Sequence, residues 1–261
     1  MPRRARLDAE LVRRGLARSR QQAAEMVAAG RVLVSGSTAT KAATAVLPDD
    51  PVRLANGNGD EFASRGGHKL AGALDAWGTP GPPVSGRRCL DAGASTGGFT
   101  DVLLRRGAGR VVAVDVGYGQ LAWSLRTDPR VVVLDRTNVR GLTPEVIGGP
   151  VALVVADLSF ISLALVLPAL AGCAGPDADL VLLVKPQFEV GRARLGRGGV
   201  VRDPGLRAAA VTSVAAAAGG VGLGVAGVTA SPLPGPAGNV EYFLWLRTDA
   251  PPPDPAALGR A

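Results

Sequence analysis

An α/β fold is expected of this sequence: a doubly wound, largely parallel sheet preceded by a small α+β module. Three observations carry that expectation. Long apolar runs, PVALVVADLSF (150–160) and DLVLLVKPQFE (179–189), meet charged residues at their ends, as buried parallel strands do at the rim of a sheet. LDAGASTGGFTDVLL (90–104) reads as strand, tight glycine turn and helix N-terminus, and VVAVDVGYG (111–119) supplies the next strand. Residues 1–53 instead show short helical and strand patterns and hold a surplus of five positive charges, out of seven for the chain.

The elements follow in order. RLDAELVRRGLA (6–17) and SRQQAAEMVAAG (19–30) place Leu7, Leu11, Val12, Ala23, Met26 and Val27 at helical spacing, with Ser19 as an N-cap and Gly30 as a stop. RVLVSGSTA (31–39) reads as strand, turn, strand, and AVLPDDPVRL (45–54) as one last short strand, which closes a module over 1–55. NGNGDEF cannot sustain a helix or strand, so 56–63 is a linker. SRGGHKLAGALDAW (64–77) opens the large domain, 64–248, with a helix carrying Leu70, Leu74 and Trp77 on one face. The uncharged run 208–230 is long enough to span a membrane, but Gly219-Gly220 divides it into an Ala-rich helix and a buried strand. NVEYFLWLR (239–247) suits an antiparallel strand, and 249–261 is expected to be a disordered tail.

Composition narrows the class. At 47% hydrophobic over 261 residues the chain can bury a full core. Cys89 and Cys173 form no CxxC and do not cluster with His68, the one histidine, which argues against a zinc site and for a reduced, cytoplasmic setting. No apolar leader opens the sequence, and no membrane association is expected. The arginines of the first module, Arg13, Arg14, Arg18, Arg20 and Arg31 among them, could simply solvate a helix face. Their concentration in one small unit points instead to a phosphate-binding surface, and RNA is the expected partner.

The glycine turn points to a ligand. It brings backbone N–H groups close to a bound molecule, and Asp115, at the tip of the neighbouring strand, can take both hydroxyls of a ribose. The spacing G-x-x-x-G-G differs from the dinucleotide pattern. Asp91, two residues before Gly93, would repel a pyrophosphate and attract a cationic, zwitterionic ligand. S-adenosylmethionine fits better than NAD. In a Rossmann-like sheet ligands sit outside the carboxyl ends of the strands, and Asp91, Asp115, Asp157 and Lys185 all fall there. Lys69 opens the preceding helix, and Glu241 is the one acid in the final apolar strand. Two lysines and two acids on one rim can neutralise each other, and a desolvated lysine near a second cation becomes usable as a general base. Such chemistry requires no metal.

Two resemblances sharpen this reading. R-L-D-x-x-L-x-x-x-G-L-A-x-S-R-x-x-A followed by G-x-V-x-V-x-G (6–36) resembles the RNA-binding module named after ribosomal protein S-four, over nearly all of 6–54. Lys69, Asp157, Lys185 and Glu241 resemble the Lys-Asp-Lys-Glu tetrad of FtsJ-type ribose 2′-O-methyltransferases. With SRGGHKL, DAGASTGGFTD, VDVGYGQL, RTNVR, ADLSFISL and VKPQFE, residues 6–248 resemble the TlyA family of ribosomal RNA cytidine 2′-O-methyltransferases, historically labelled hemolysins. The resemblance implies an S-adenosylmethionine-dependent enzyme acting on small-subunit RNA and, in one subgroup, on large-subunit RNA as well. It implies that Gly93, Ala94, Gly97, Gly98 and Phe99 hold the methionine end of the cofactor, with Asp91 beside them. Asp115 would take the ribose, and Asp135 to Asn138 would lie near the adenine. Lys185 becomes the general base, oriented by Asp157 and Glu241, and Lys69 positions the ribose or stabilises oxyanion charge. Arg6, Arg14, Arg18, Arg20, Arg31 and Arg65 are the expected RNA contacts, with the loop 191–205 as a mobile clamp, and ribosomal subunits are the partners of a monomer. Two departures stand out: Gly67 occupies a position where a larger residue is expected, and the linker lacks the pattern of the dual-substrate subgroup. The alternatives are a non-catalytic assembly factor, which would not need the tetrad, and a hemolysin, which would need a secretion signal and a spanning segment.

Overall fold

The computed structural model describes residues 4–28, 30–35, 37–54 and 62–252. They fall into two compact units, Met1–Glu61 and Phe62–Ala261. Residues 56–61 of the expected linker, with residue 55 before them, lie outside the described residues, and Phe62 and Ala63 belong to the second unit.

The first unit runs β1 (Ala5–Arg6), α1 (Leu7–Arg13), α2 (Arg20–Ala28), β2 (Val32–Val34), β3 (Ser37–Thr38), β4 (Ala45–Val46) and β5 (Val52–Leu54). Leu7, Leu11, Ala23, Val27, Val32, Val46 and Val52 make its core, so the helical spacing read from sequence is the spacing that is buried. Ser19 Oγ accepts from the Gln22 N–H at 3.1 Å, and Gly30, at φ +69°, ends α2. The single strand expected over 45–54 is two. Asp50 accepts the Leu47 N–H at 2.7 Å and returns its own N–H to the Leu47 carbonyl, a turn that sends β4 to β1 and β5 to β2.

The second unit contains α3 (Arg65–Trp77), β6 (Arg88–Ala92), α4 (Gly98–Arg105), β7 (Arg110–Val114), α5 (Trp123–Arg126), β8 (Val131–Leu134), α6 (Pro144–Ile147), β9 (Val151–Ala156), α7 (Leu167–Cys173), β10 (Ala174–Val184), α8 (Pro186–Glu189), α9 (Pro204–Gly219), β11 (Gly224–Ala230) and β12 (Tyr242–Arg247). The sheet order is β11-β12-β10-β9-β6-β7-β8. Strands β6 to β10 are parallel, whereas β12 runs antiparallel to both β10 and β11. Alternate residues of the strands feed two cores: Leu90, Val154 and Leu182 point to one face, and Cys89, Val155 and Leu183 to the other. The order reverses at β6, flanked by β7 and β9, which puts a crevice at the carboxyl ends of those strands.

The uncharged run divides as expected, into α9 and β11. Asp203 caps α9 by accepting the Gly205 N–H at 2.7 Å. Strand β11, however, is only partly buried, because it is the sheet's edge strand. No described helix is long and apolar enough to cross a membrane. The expected tail begins as structure: the Val225 N–H reaches the Pro251 carbonyl at 3.0 Å, and Arg247 pairs with Asp249. Residues 253–261 lie outside the described set.

Candidate active site

The site starts with a turn that tolerates no side chain. Gly93 follows β6 at φ +88°, and a Cβ there would sit 2.6 Å from the Asp157 carbonyl oxygen at the end of β9. Gly98 begins α4, where a Cβ would strike Ser64 Oγ and the Gly67 nitrogen, so the first turns of α3 and α4 touch. This contact brings Lys69 of α3 over the strand ends. Gly97, at φ +99°, has another reason to be glycine: its missing Cβ leaves room for Leu121 and Leu125.

Two lysine–acid pairs close on one cleft of about 580 Å³, lined also by Gly93, Ala94, Gly98 and Phe99. Lys69 Nζ lies 2.5 Å from Glu241 Oε2, and Lys185 Nζ lies 2.5 Å from Asp157 Oδ1. Lys69, Lys185 and Glu241 are buried, and pairing is what makes such burial tolerable. Both acids were expected on Lys185; the structure gives Glu241 to Lys69. Glu241 sits just before β12, and among the described residues Asp157 is the acid paired with Lys185. The Lys185–Asp157 contact is close but poorly aligned. The aligned hydrogen bond of Nζ goes to Ser159 Oγ at 2.9 Å.

The remaining acids stand outside this cleft. Asp91 is fully buried beneath the glycine turn, and its Oδ2 accepts from the Thr100 hydroxyl at 2.6 Å. Burial pushes its carboxyl up to about 7; the Thr100 hydrogen bond pulls it back, and the Asp157 charge adds to the rise. Its Oδ1 has no hydrogen-bond partner among the described residues. Asp115, at the end of β7, accepts the Ser95 N–H at 2.8 Å and the Gly117 N–H at 2.7 Å. Asp135, after β8, is partly buried, which alone would raise its carboxyl. Arg126 at 3.0 Å and the Gly119 N–H outweigh that and hold it low. Asn138 spends its side-chain oxygen on the Arg140 N–H, capping the turn Val139–Gly141.

Sequence reasoning missed part of the lining. Ser159, Phe160, Gln187 and Phe188 all face the cleft, and Phe160 is 92% exposed with its ring 5.2 Å from that of Phe188. The strings ADLSF and KPQFE contain these residues, but no spacing relates one string to the other.

The arginines divide by what holds them. Asp8 and Glu10 are buried acids on α1. Asp8 binds Arg6 and Arg20, and Glu10 binds Arg13 and Arg14. Hydrogen bonds from Arg6 to Asp8 and from Arg13 to Glu10 lead in holding each carboxyl down at about 2. Arg14 also donates to the carbonyls of Pro48 and Asp50, at 2.8 and 2.9 Å, so it fastens the 47–50 turn. Arg18 and Arg31 remain exposed on the same unit, and Arg65 lines the cleft. In the loop 191–205, Asn239 accepts the Val201 N–H and donates to the Gly199 carbonyl, which pins the loop's second half.

Sequence comparison agrees with this geometry. The model of the FtsJ-like methyltransferase family matches residues 62–248, and that of the S4 domain matches residues 5–52. The chain belongs to the FtsJ-like methyltransferase family. Within this family it is 68% identical to the 16S/23S rRNA (cytidine-2′-O)-methyltransferase TlyA of Mycobacterium tuberculosis, over 95% of this chain and 91% of that one. It is 35% identical to Hemolysin A of Brachyspira hyodysenteriae, over 91% and 98% of the two chains. A solved structure from Streptococcus thermophilus described as a hemolysin superposes with a TM-score of 0.73 at 37% identity, covering all of this chain and 94% of that one. The departure at Gly67 has a local cause: the Phe62 side chain occupies the space a Cβ would need.

Proposed function

We propose that this protein transfers a methyl group from S-adenosylmethionine to the ribose 2′-hydroxyl of a cytidine in ribosomal RNA. The small subunit is the expected substrate, and the large subunit is a second one to test. The observation that carries the reading is the pair of lysine–acid contacts facing one cleft beside the glycine turn. A ribose hydroxyl is a poor nucleophile at neutral pH and needs a base within hydrogen-bond reach.

The residues present fit the cofactor. A buried carboxylate oxygen of Asp91 lacks a partner beneath the turn, and the Asp115 carboxylate stands at the tip of β7. Gly93, Ala94, Gly97, Gly98 and Phe99 would hold the methionine end, Asp115 the ribose, and Asp135 to Asn138 the adenine. When bound, S-adenosylmethionine supplies a methyl group made electrophilic by its sulfonium. Lys185 Nζ takes the proton of the 2′-hydroxyl, Asp157 holds that nitrogen, and Lys69, fixed by Glu241, sets positive charge beside the reacting oxygen. The protein is read as acting as a monomer, which its mass in solution would test. Ribosomal subunits as substrate place its action in the cytoplasm.

The test is methyl incorporation from labelled S-adenosylmethionine into isolated small and large subunits, with the modified ribose mapped. No incorporation into either, with RNA binding intact, would favour the assembly-factor reading. Asp115→Ala is expected to weaken cofactor binding by about 1–3 kcal/mol through loss of a charged hydrogen-bond acceptor. Calorimetry showing unchanged affinity would remove Asp115 from the ribose site.

RNA binding by the first unit should weaken steeply with salt, since each neutralised phosphate releases condensed counterions. Replacing Arg6, Arg20 and Arg31 with alanine together is expected to flatten log affinity against log salt by ~0.7 to 0.9 for each phosphate no longer neutralised. Arg14 is left in place because its guanidinium holds the backbone of the 47–50 turn. An unmoved slope in a folded variant would show that Arg6 and Arg20 serve only to neutralise Asp8 and that Arg31 only solvates the face.

A further inference from the structure

Lys185 can act as a base only when its nitrogen has a free lone pair, and in that state it keeps two N–H bonds. The direction of the lone pair then depends on where those two bonds point. One neighbour is Asp157 Oδ1, close but off axis. The other, Ser159 Oγ, accepts the aligned hydrogen bond at 2.9 Å.

Ser159 is held firmly on both sides. Before it, the Asp157 N–H donates to the Ala92 carbonyl at 3.1 Å. After it, Phe160 adopts φ +64°, a left-handed conformation that a bulky residue enters only when its surroundings impose it. Glu189 of α8 then clamps the loop: Ser162 Oγ donates to Oε2 at 2.6 Å and the Leu163 N–H to Oε1 at 2.9 Å. Helix α8 starts directly after Lys185, so one rigid element carries the base and anchors the loop that presents the serine.

We propose that Ser159 is a positioning residue for Lys185, holding one N–H of Nζ so that the lone pair faces the ribose hydroxyl in the cleft. The inference rests on Lys185 being the proton acceptor. With one N–H bond held by Ser159 and the Asp157 carboxylate close by as an ion-pair partner, the proton arriving from the 2′-oxygen becomes the third on an ammonium whose charge Asp157 offsets. Without the serine hydroxyl the nitrogen can rotate, and the fraction of encounters with a usable lone pair falls.

The test compares Ser159→Ala, Ser159→Thr and Lys185→Ala in the full chain, with ribosomal subunits as substrate. Ser159→Ala is expected to lower kcat by about 10- to 100-fold, with KM for subunits and affinity for S-adenosylmethionine unchanged. Ser159→Thr, which keeps the acceptor, should restore most of the rate. Normal kcat in Ser159→Ala alongside inactive Lys185→Ala would overturn the role of the serine alone. So would a lowered Tm with kcat per folded enzyme intact, or a threonine variant as slow as alanine. An active Lys185→Ala would overturn the underlying reading instead.

Discussion

Lys185→Ala is expected to lower kcat for methyl transfer by ~10²-fold or more while the affinities for S-adenosylmethionine and RNA stay near those of the parent protein. The base acts on the chemical step, and the residues assigned to the cofactor stand around the glycine turn and just after β7 and β8. Alanine also leaves Asp157 without its cation, and a partly buried acid that loses its partner destabilises the fold. Lys185→Met, which keeps most of the side-chain volume, should show the same loss of turnover. Single-turnover rates for both variants, with folding checked by thermal melting, decide the matter. Near-normal turnover in either removes Lys185 from the mechanism.

The second large effect concerns the division of labour. A chain beginning at Phe62 is expected to bind S-adenosylmethionine like the full protein and to lose activity on ribosomal subunits by on the order of 10²-fold or more, because phosphate contacts dominate nucleic-acid affinity. The second unit has its own core on each face of the sheet, and every residue lining the cleft lies at Ser64 or beyond. Residues 1–53, within the first unit, carry five of the seven surplus charges. If the shortened chain methylates subunits at the full rate, the first unit is not what brings RNA to the site.

Much of the fold was legible because its signals are local. Apolar runs gave the strands, and Ser19, Gly30, Gly219 and Gly220 fell at or near element ends. The split of 45–54 was written in Pro48, Asp49 and Asp50, but a short apolar pattern on either side reads equally well as one strand. Strand β11 looked buried because edge and interior strands of similar composition differ only in their neighbours, which a linear pattern does not contain. At the site, residue types pointed to the tetrad, but not to which acid meets which lysine. That pairing depends on β12 entering the sheet beside β10. Ser159, Glu189 and the second duty of Arg14 were invisible for the same reason: their partners lie 26, 27 and some 34 residues away.

The position of β12 also governs when the site comes into being. This strand is the last of those described yet lies inside the sheet, between β10 and β11, and Glu241 stands at its threshold. The Lys69–Glu241 contact closes a loop of 172 residues. During synthesis the glycine turn and the strands up to β10 can pair in order, but Lys69 waits for an acid that has yet to leave the ribosome. Until β12 docks, β10 keeps an open edge and the cleft lacks one wall. The cleft is therefore expected to be complete only once β12 has docked between β10 and β11, so that fragments ending before Glu241 would lack the partner of Lys69.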